Sequence, residues 1–258
     1  MTPKGAEIAT FEQIAIYLPI KEALFAIAPF VKYMVSNVCD VLAALVCQVH
    51  ARTLLLISKP NDEGGSHRLG ASTAPHTLEV YLDYCPFSAK IYKALRTQVL
   101  PWIEKDHPNQ IQFIFRHQVQ PWHASSTLVH EASLVVEKLS HEDFLTFSDQ
   151  LFAHQQDYFD EAVENKTRRQ LVEQVAELIV KTTRATDKDV IIKALANGTN
   201  APENKGNSVT NDLKLQIRLA RQNSIHVSPT VVWNGLRDDS VSSGWDLGQW
   251  QEYIKSKL

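Results

Sequence analysis

The stretch His76-Thr-Leu-Glu-Val-Tyr-Leu-Asp-Tyr84, continued by Cys85-Pro86-Phe87-Ser88 and Ala89-Lys-Ile-Tyr-Lys-Ala-Leu95, decides the fold. Leu78, Val80 and Leu82 alternate with more polar neighbours among β-forming residues, which is the period of a strand over 76–84. Ile91 and Leu95 share a helical face with Val99, so Cys85 falls directly after a strand and opens a helix. The first backbone N–H groups of a helix lack partners and carry the positive end of its dipole, and both favour a thiolate over a thiol. Pro86 suits that first turn because it has no N–H to leave unpaired. Ser88, about one turn along, can offer its hydroxyl to the sulfur. The local chemistry is that of a nucleophilic thiol, with buried structural cysteine as the alternative.

Working outward, Gln110-Ile-Gln-Phe-Ile-Phe-Arg-His117 alternates in the same way, giving a second strand reached through the helix as a parallel βαβ unit. From Thr127 to about Ala220 the signals are helical, with apolar spacings of three and four over 128–139, 144–159, 168–182, 187–195 and 212–221. Asp187 reads as a helix cap. His226-Val-Ser-Pro-Thr-Val-Val-Trp233 predicts a third strand, Asn234-Gly235 a tight turn into a short further strand, and Asp246 to Lys257 a final amphipathic helix. The expected class is α/β, in the order βαβ, helical insert at about 127–221, β-hairpin, α.

Residues 1–60 read as an apolar helical extension, either packed on the body or poorly ordered, and 61–75 as a glycine-bearing polar linker, so the main domain is expected over 76–258. Charges interrupt every apolar stretch of the first sixty residues, so no transmembrane span is predicted. No convincing secretory signal appears, which favours a cytoplasmic location over the secretory pathway. Cys39 and Cys47, eight apart, would lie about 12 Å apart along one helix and could not bridge, so they read as small buried hydrophobes.

The whole chain has 258 residues, 44% of them hydrophobic and 21% charged, with a net charge of -3, an ordinary globular balance with no basic excess to attract nucleic acid. Its three cysteines exclude a fully paired disulfide framework. The ten histidines are scattered and none falls with cysteine at a zinc-ligand spacing, so no metal site is expected. His117, His123 and His130 read as surface or loop histidines. Trp122 and His123 read as a structural loop, with the cleft near Cys85 as the alternative, and His226 as an edge-strand residue.

The second site element is Val227-Ser228-Pro229-Thr230 at the head of the late strand. An X-Pro bond has a small trans preference, so a cis bond is accessible there, and the residue before such a proline can pair with an extended peptide. Taken together, the Cys85 turn, its flanking strand and helix, and the proline-led hairpin resemble the thioredoxin superfamily over about 76–258. The long helical insert resembles its DsbA-like branch. The resemblance implies that Cys85 is the attacking cysteine of the C-x-x-C motif and Pro229 the cis-proline beside it. Pro86, Phe87, Ser228, Pro229 and Thr230 would then line the substrate site. Ser88 stands where dithiol members carry the resolving cysteine, so Cys85 cannot release itself from a mixed disulfide. This leaves a monothiol thiol–disulfide oxidoreductase, a kappa-class-like glutathione transferase or isomerase, or a redox-inactive peptide-binding module. No bound cofactor is implied, but glutathione is a candidate co-substrate, and the partners would be thiol or disulfide proteins.

Overall fold

The computed structural model describes residues 65–185, 187–198 and 204–258, so the expectations for residues 1–60, Cys39 and Cys47 included, lie outside it. Strand β2 (His76–Leu82) leads through Cys85 into helix α1 (Pro86–Ala94). A wide π-helical turn over Leu95–Val99 continues it into α2 (Leu100–Asp106), and β3 (Ile111–His117) follows. Pro101, near the start of α2, cannot donate to the turn before it, and the helix widens just ahead of it. β2 and β3 are parallel, with Leu78 opposite Phe113 and Leu82 opposite His117, which completes the expected βαβ unit.

The helical insert contains α3 (Ser126–Leu139), α4 (Phe144–Ala153), the short α5 (Asp160–Val163), α6 (Arg168–Thr182), α7 (Lys188–Leu195) and α8 (Thr210–Gln222). Asp187 accepts from the N–H groups of Asp189 and Val190, capping α7 as its sequence predicts. Beyond the insert, β4 (Thr230–Trp233) and β5 (Leu236–Asp238) form the hairpin, and α9 (Leu247–Lys255) ends the chain. Asn234 and Gly235 both have positive φ, 48° and 80°, as a two-residue turn of this hand requires. β4 begins at Thr230 rather than His226, because Pro229 has no N–H for the ladder.

The stretch 61–75, expected as a linker, instead contains an edge strand, β1 (His67–Leu69), antiparallel to β3 with His67 opposite Phe115. The glycines flank that strand rather than mark a spacer. Gly70 turns the chain at φ 98°, where a Cβ would come within 2.9 Å of the Ile111 carbonyl oxygen.

The sheet order is β1-β3-β2-β4-β5. Leu78, Val80, Leu82 and Phe115 are fully buried, in one core with Leu95 and Val99 of the crossover, Phe144 and Phe147 of α4, and Trp250 and Ile254 of α9. The opposite face buries Tyr81 and Val232 against Ala220 and Ile225. There the Glu79–Arg116 pair, 2.7 Å apart, joins β2 to β3. Coverage of both faces explains why the parallel strands are apolar enough to be legible. It also leaves the carboxyl end of β2 as the place where the chain can present chemistry.

Candidate active site

Tyr84 and Cys85 make the bend between β2 and α1. Cys85 is the N-cap residue of α1, in extended conformation, with Pro86 in the first turn as expected. Its side chain is buried, and among the described residues it is a free cysteine. Two serine hydroxyls approach the sulfur: Ser88 Oγ at 3.4 Å and Ser228 Oγ at 3.8 Å. The Ser228–Pro229 peptide bond is cis.

Each hydroxyl oxygen is itself held by an amide. The backbone N–H of Asp83 donates to Ser88 Oγ at 3.3 Å, and Nε2 of Gln120 donates to Ser228 Oγ at 3.0 Å. A hydroxyl that accepts in this way keeps its own proton free, so both can turn that proton toward a thiolate. Ser88 is fully buried, so its hydroxyl is withdrawn from solvent. Gln120 was missed in the sequence. The available signal was its place just beyond the carboxyl end of β3, next to β2 in a parallel pair, where open α/β sheets gather ligand contacts.

Beneath the sulfur lies a polar network centred on Asp83. Ser126 Oγ donates to Asp83 Oδ1 at 2.6 Å, His130 Nε2 lies 3.1 Å from the same oxygen, and His123 Nδ1 lies 2.5 Å from Oδ2. Burial pushes the Asp83 carboxyl up, but the bonds from His130, Ser126 and His123 outweigh it and hold the group below its usual range. His117 and His130 bring their Nδ1 atoms to 2.8 Å. Burial first, then the charges of His130, His67 and Arg116, push His117 well below the usual imidazole value. The reading of His117 and His130 as surface or loop histidines is therefore corrected. They end β3 and line the inner face of α3, both fully buried. Tyr84 extends the anchorage, its hydroxyl 2.6 Å from Ser133 Oγ on α3 and 3.2 Å from Ser148 Oγ on α4.

A cavity of about 430 Å³ opens beside the sulfur, lined by Asp83, Cys85, Pro86, His123, Ser126, Tyr158, Phe159, Asp160 and Glu161 among others. His123 thus lies at the cleft, where the sequence favoured a structural loop. Ser228 and Pro229 do not line this cavity, so Cys85 is reached both by the cavity and by the proline loop. Phe87, two residues after Cys85, is exposed at 62%. Thr230 turns inward instead, donating from Oγ1 to the Val227 carbonyl at 2.8 Å, so its hydroxyl closes the proline loop rather than facing a ligand. His226 is exposed, with Nδ1 3.3 Å from the Ser224 carbonyl oxygen. Among the described residues no helix is long and apolar enough to cross a membrane.

A scan against protein families and a search of curated proteins find no match to the chain. Solved structures do match. A protein assigned as a protein-disulfide isomerase from Pseudomonas syringae superposes with a TM-score of 0.57 at 23% identity, over 74% of this chain and 98% of that one. The thiol-disulfide exchange protein alpha-DsbA2 from Wolbachia pipientis gives 0.55 at 14% identity, over 82% and 97%. Oxidised BdbD from Bacillus subtilis gives 0.52 at 21%, over 74% and 92%. Identities this low speak for the fold. The chain has the thioredoxin fold in its DsbA-like form, with a helical insert between the βαβ half and the late hairpin.

Proposed function

We propose that the protein is a thiol–disulfide oxidoreductase of monothiol type working through Cys85. The observation that carries this reading is the pair of serine hydroxyls at 3.4 and 3.8 Å from the sulfur, each oxygen already accepting an amide N–H. The Cys85 thiolate attacks one sulfur of a disulfide or of a glutathione adduct. The new S–S bond joins Cys85 to that sulfur, and the other sulfur leaves as thiolate and takes a proton from water. A second thiol, glutathione in this reading, then attacks the mixed disulfide and returns Cys85 to the thiolate. No resolving thiol within the turn is needed, because the incoming thiol forms a new disulfide with the substrate-derived sulfur as the Cys85 thiolate leaves. The Ser228–Pro229 segment and the exposed Pro86 and Phe87 hold the substrate backbone around the sulfur.

The test is turnover of bis(2-hydroxyethyl) disulfide coupled to glutathione oxidation. Cys85→Ser should fall to the uncatalysed rate, and full activity in that variant would end the reading. Glutathione transfer is the second reading, favoured by a cavity of about 430 Å³ adjoining Cys85, within the size range of small-molecule sites. Glutathione-dependent turnover that survives Cys85→Ser would select it. A thiol that alkylates no faster than free cysteine, with no turnover of either kind, would instead point to a redox-inactive peptide-binding module.

A further inference from the structure

A second cluster of chemically capable side chains lies where β1 meets the end of α3. His67 on β1 places Nδ1 2.9 Å from Glu137 Oε2, and His141, in the turn after α3, places Nδ1 2.6 Å from Glu137 Oε1. One ligand atom from each of the three residues can be chosen so that all lie within 4.8 Å of one another. The His67 ring is held in place, stacked on Phe144 with centroids 4.5 Å apart and planes 10° from parallel. The His67 side chain is 5% exposed and that of His141 58%, so one imidazole is fixed and the other is free to close on it.

We propose that His67, Glu137 and His141 form a zinc site. Two imidazoles and a carboxylate are a donor set that zinc takes, at about 2.0–2.2 Å, with a fourth position left for water or for the second carboxylate oxygen. Each imidazole now shares a proton with the carboxylate through Nδ1. The ion takes the place of those protons: a neutral ring moves its proton to Nε2 and gives the Nδ1 lone pair to the metal, and a protonated ring releases one proton to solvent. Three chain segments would then be clamped together, tying the edge strand β1 of the sheet to the insert. His67 and Glu137 are 70 positions apart and Glu137 and His141 only four, so no short motif announces the set.

Calorimetric titration of the full, tag-free, chelator-treated chain with Zn²⁺ tests this. One site per chain is expected, unchanged in Cys85→Ser. His141→Ala and Glu137→Gln should weaken it by more than the roughly 10–100-fold typical of losing a group behind a ligand. Zn²⁺ should also raise the melting temperature of the wild type but not of His141→Ala, whose exposed position leaves the fold intact by circular dichroism. Wild-type affinity in both ligand variants, loss of the site in Cys85→Ser, or no stoichiometric binding to the wild type would each overturn the proposal.

Discussion

Asp83 and Cys85 are two residues apart at the end of β2, yet their surroundings differ in kind. The Asp83 carboxylate is committed, with Ser126, His130 and His123 on its two oxygens at 2.6, 3.1 and 2.5 Å. Among the described residues the Cys85 sulfur has two hydroxyl neighbours, at 3.4 and 3.8 Å, and a cavity beside it. The carboxylate holds α3 and the loop after β3 onto the sheet, and taking a proton would cost it donors it already has. The sulfur has uncommitted donors and room for a second molecule. The contrast separates an anchor from a reactive group, although both lie on one short stretch of chain.

The largest effect should come from breaking the anchor. Asp83→Ala strips the buried His130 and Ser126 donors of their acceptor and should cost roughly 3–5 kcal/mol in urea-unfolding free energy. A cost below about 1 kcal/mol, within reach of an ordinary net hydrogen bond, would mean that Asp83 is no anchor. The same network sets the response to acid. His117 is held well below its unfolded value of about 6.5, so the unfolded chain takes up a proton that the folded one refuses, and stability should fall as the pH drops below about 6.5. Asp83 has a lowered folded value, so its share is present above about pH 3.9 and is lost as the pH falls through the still lower folded value. The unfolding midpoint should therefore decline in two stages on acidification. The lower stage should be smaller in Asp83→Asn, not absent, because hydrogen bonds from Ser140 and Ser240 hold Asp143 and Asp238 at about 2 as well, and an unchanged lower stage there would assign it to those carboxylates.

The same contrast explains what the sequence could reveal. The Cys85-Pro86-Phe87-Ser88 turn is legible because everything that makes it, strand before and helix after, is local. Asp187 and Asn234-Gly235 are legible for the same reason: a cap and a tight turn are decided within a few residues. The anchor is not local. Asp83 meets His130 across 47 positions and Gln120 meets Ser228 across 108, and in a single sequence a buried polar residue looks like a surface one. For the same reason the sequence alone makes His117 and His130 read as surface or loop histidines. β1 escaped because three residues between turn-forming glycines carry no alternation to recognise.

A smaller effect, at the sulfur, tests the other half of the comparison. Ser88→Ala removes the nearer hydroxyl and also leaves the buried Asp83 N–H without its acceptor, for about 1–3 kcal/mol of stability. It should slow iodoacetamide alkylation of Cys85 at neutral pH by about tenfold, since one hydrogen bond to a charged group is worth roughly 1.5 kcal/mol.

Ser228→Ala should do less. Its hydroxyl stands farther from the sulfur, at 3.8 Å, and Ser228 is only half-buried where Ser88 is fully buried. Alkylation about threefold slower is the expected outcome for a weaker bond of this kind, with about 1–3 kcal/mol of stability lost because the buried Gln120 amide loses its acceptor. The order of the two variants matters more than either value. If Ser228→Ala slows the thiol more than Ser88→Ala, the proline loop rather than the helix start supplies the main donor to the thiolate. The reactive half of the comparison would then belong to the late hairpin, and the contrast with Asp83 would no longer be one between neighbours on the same strand end.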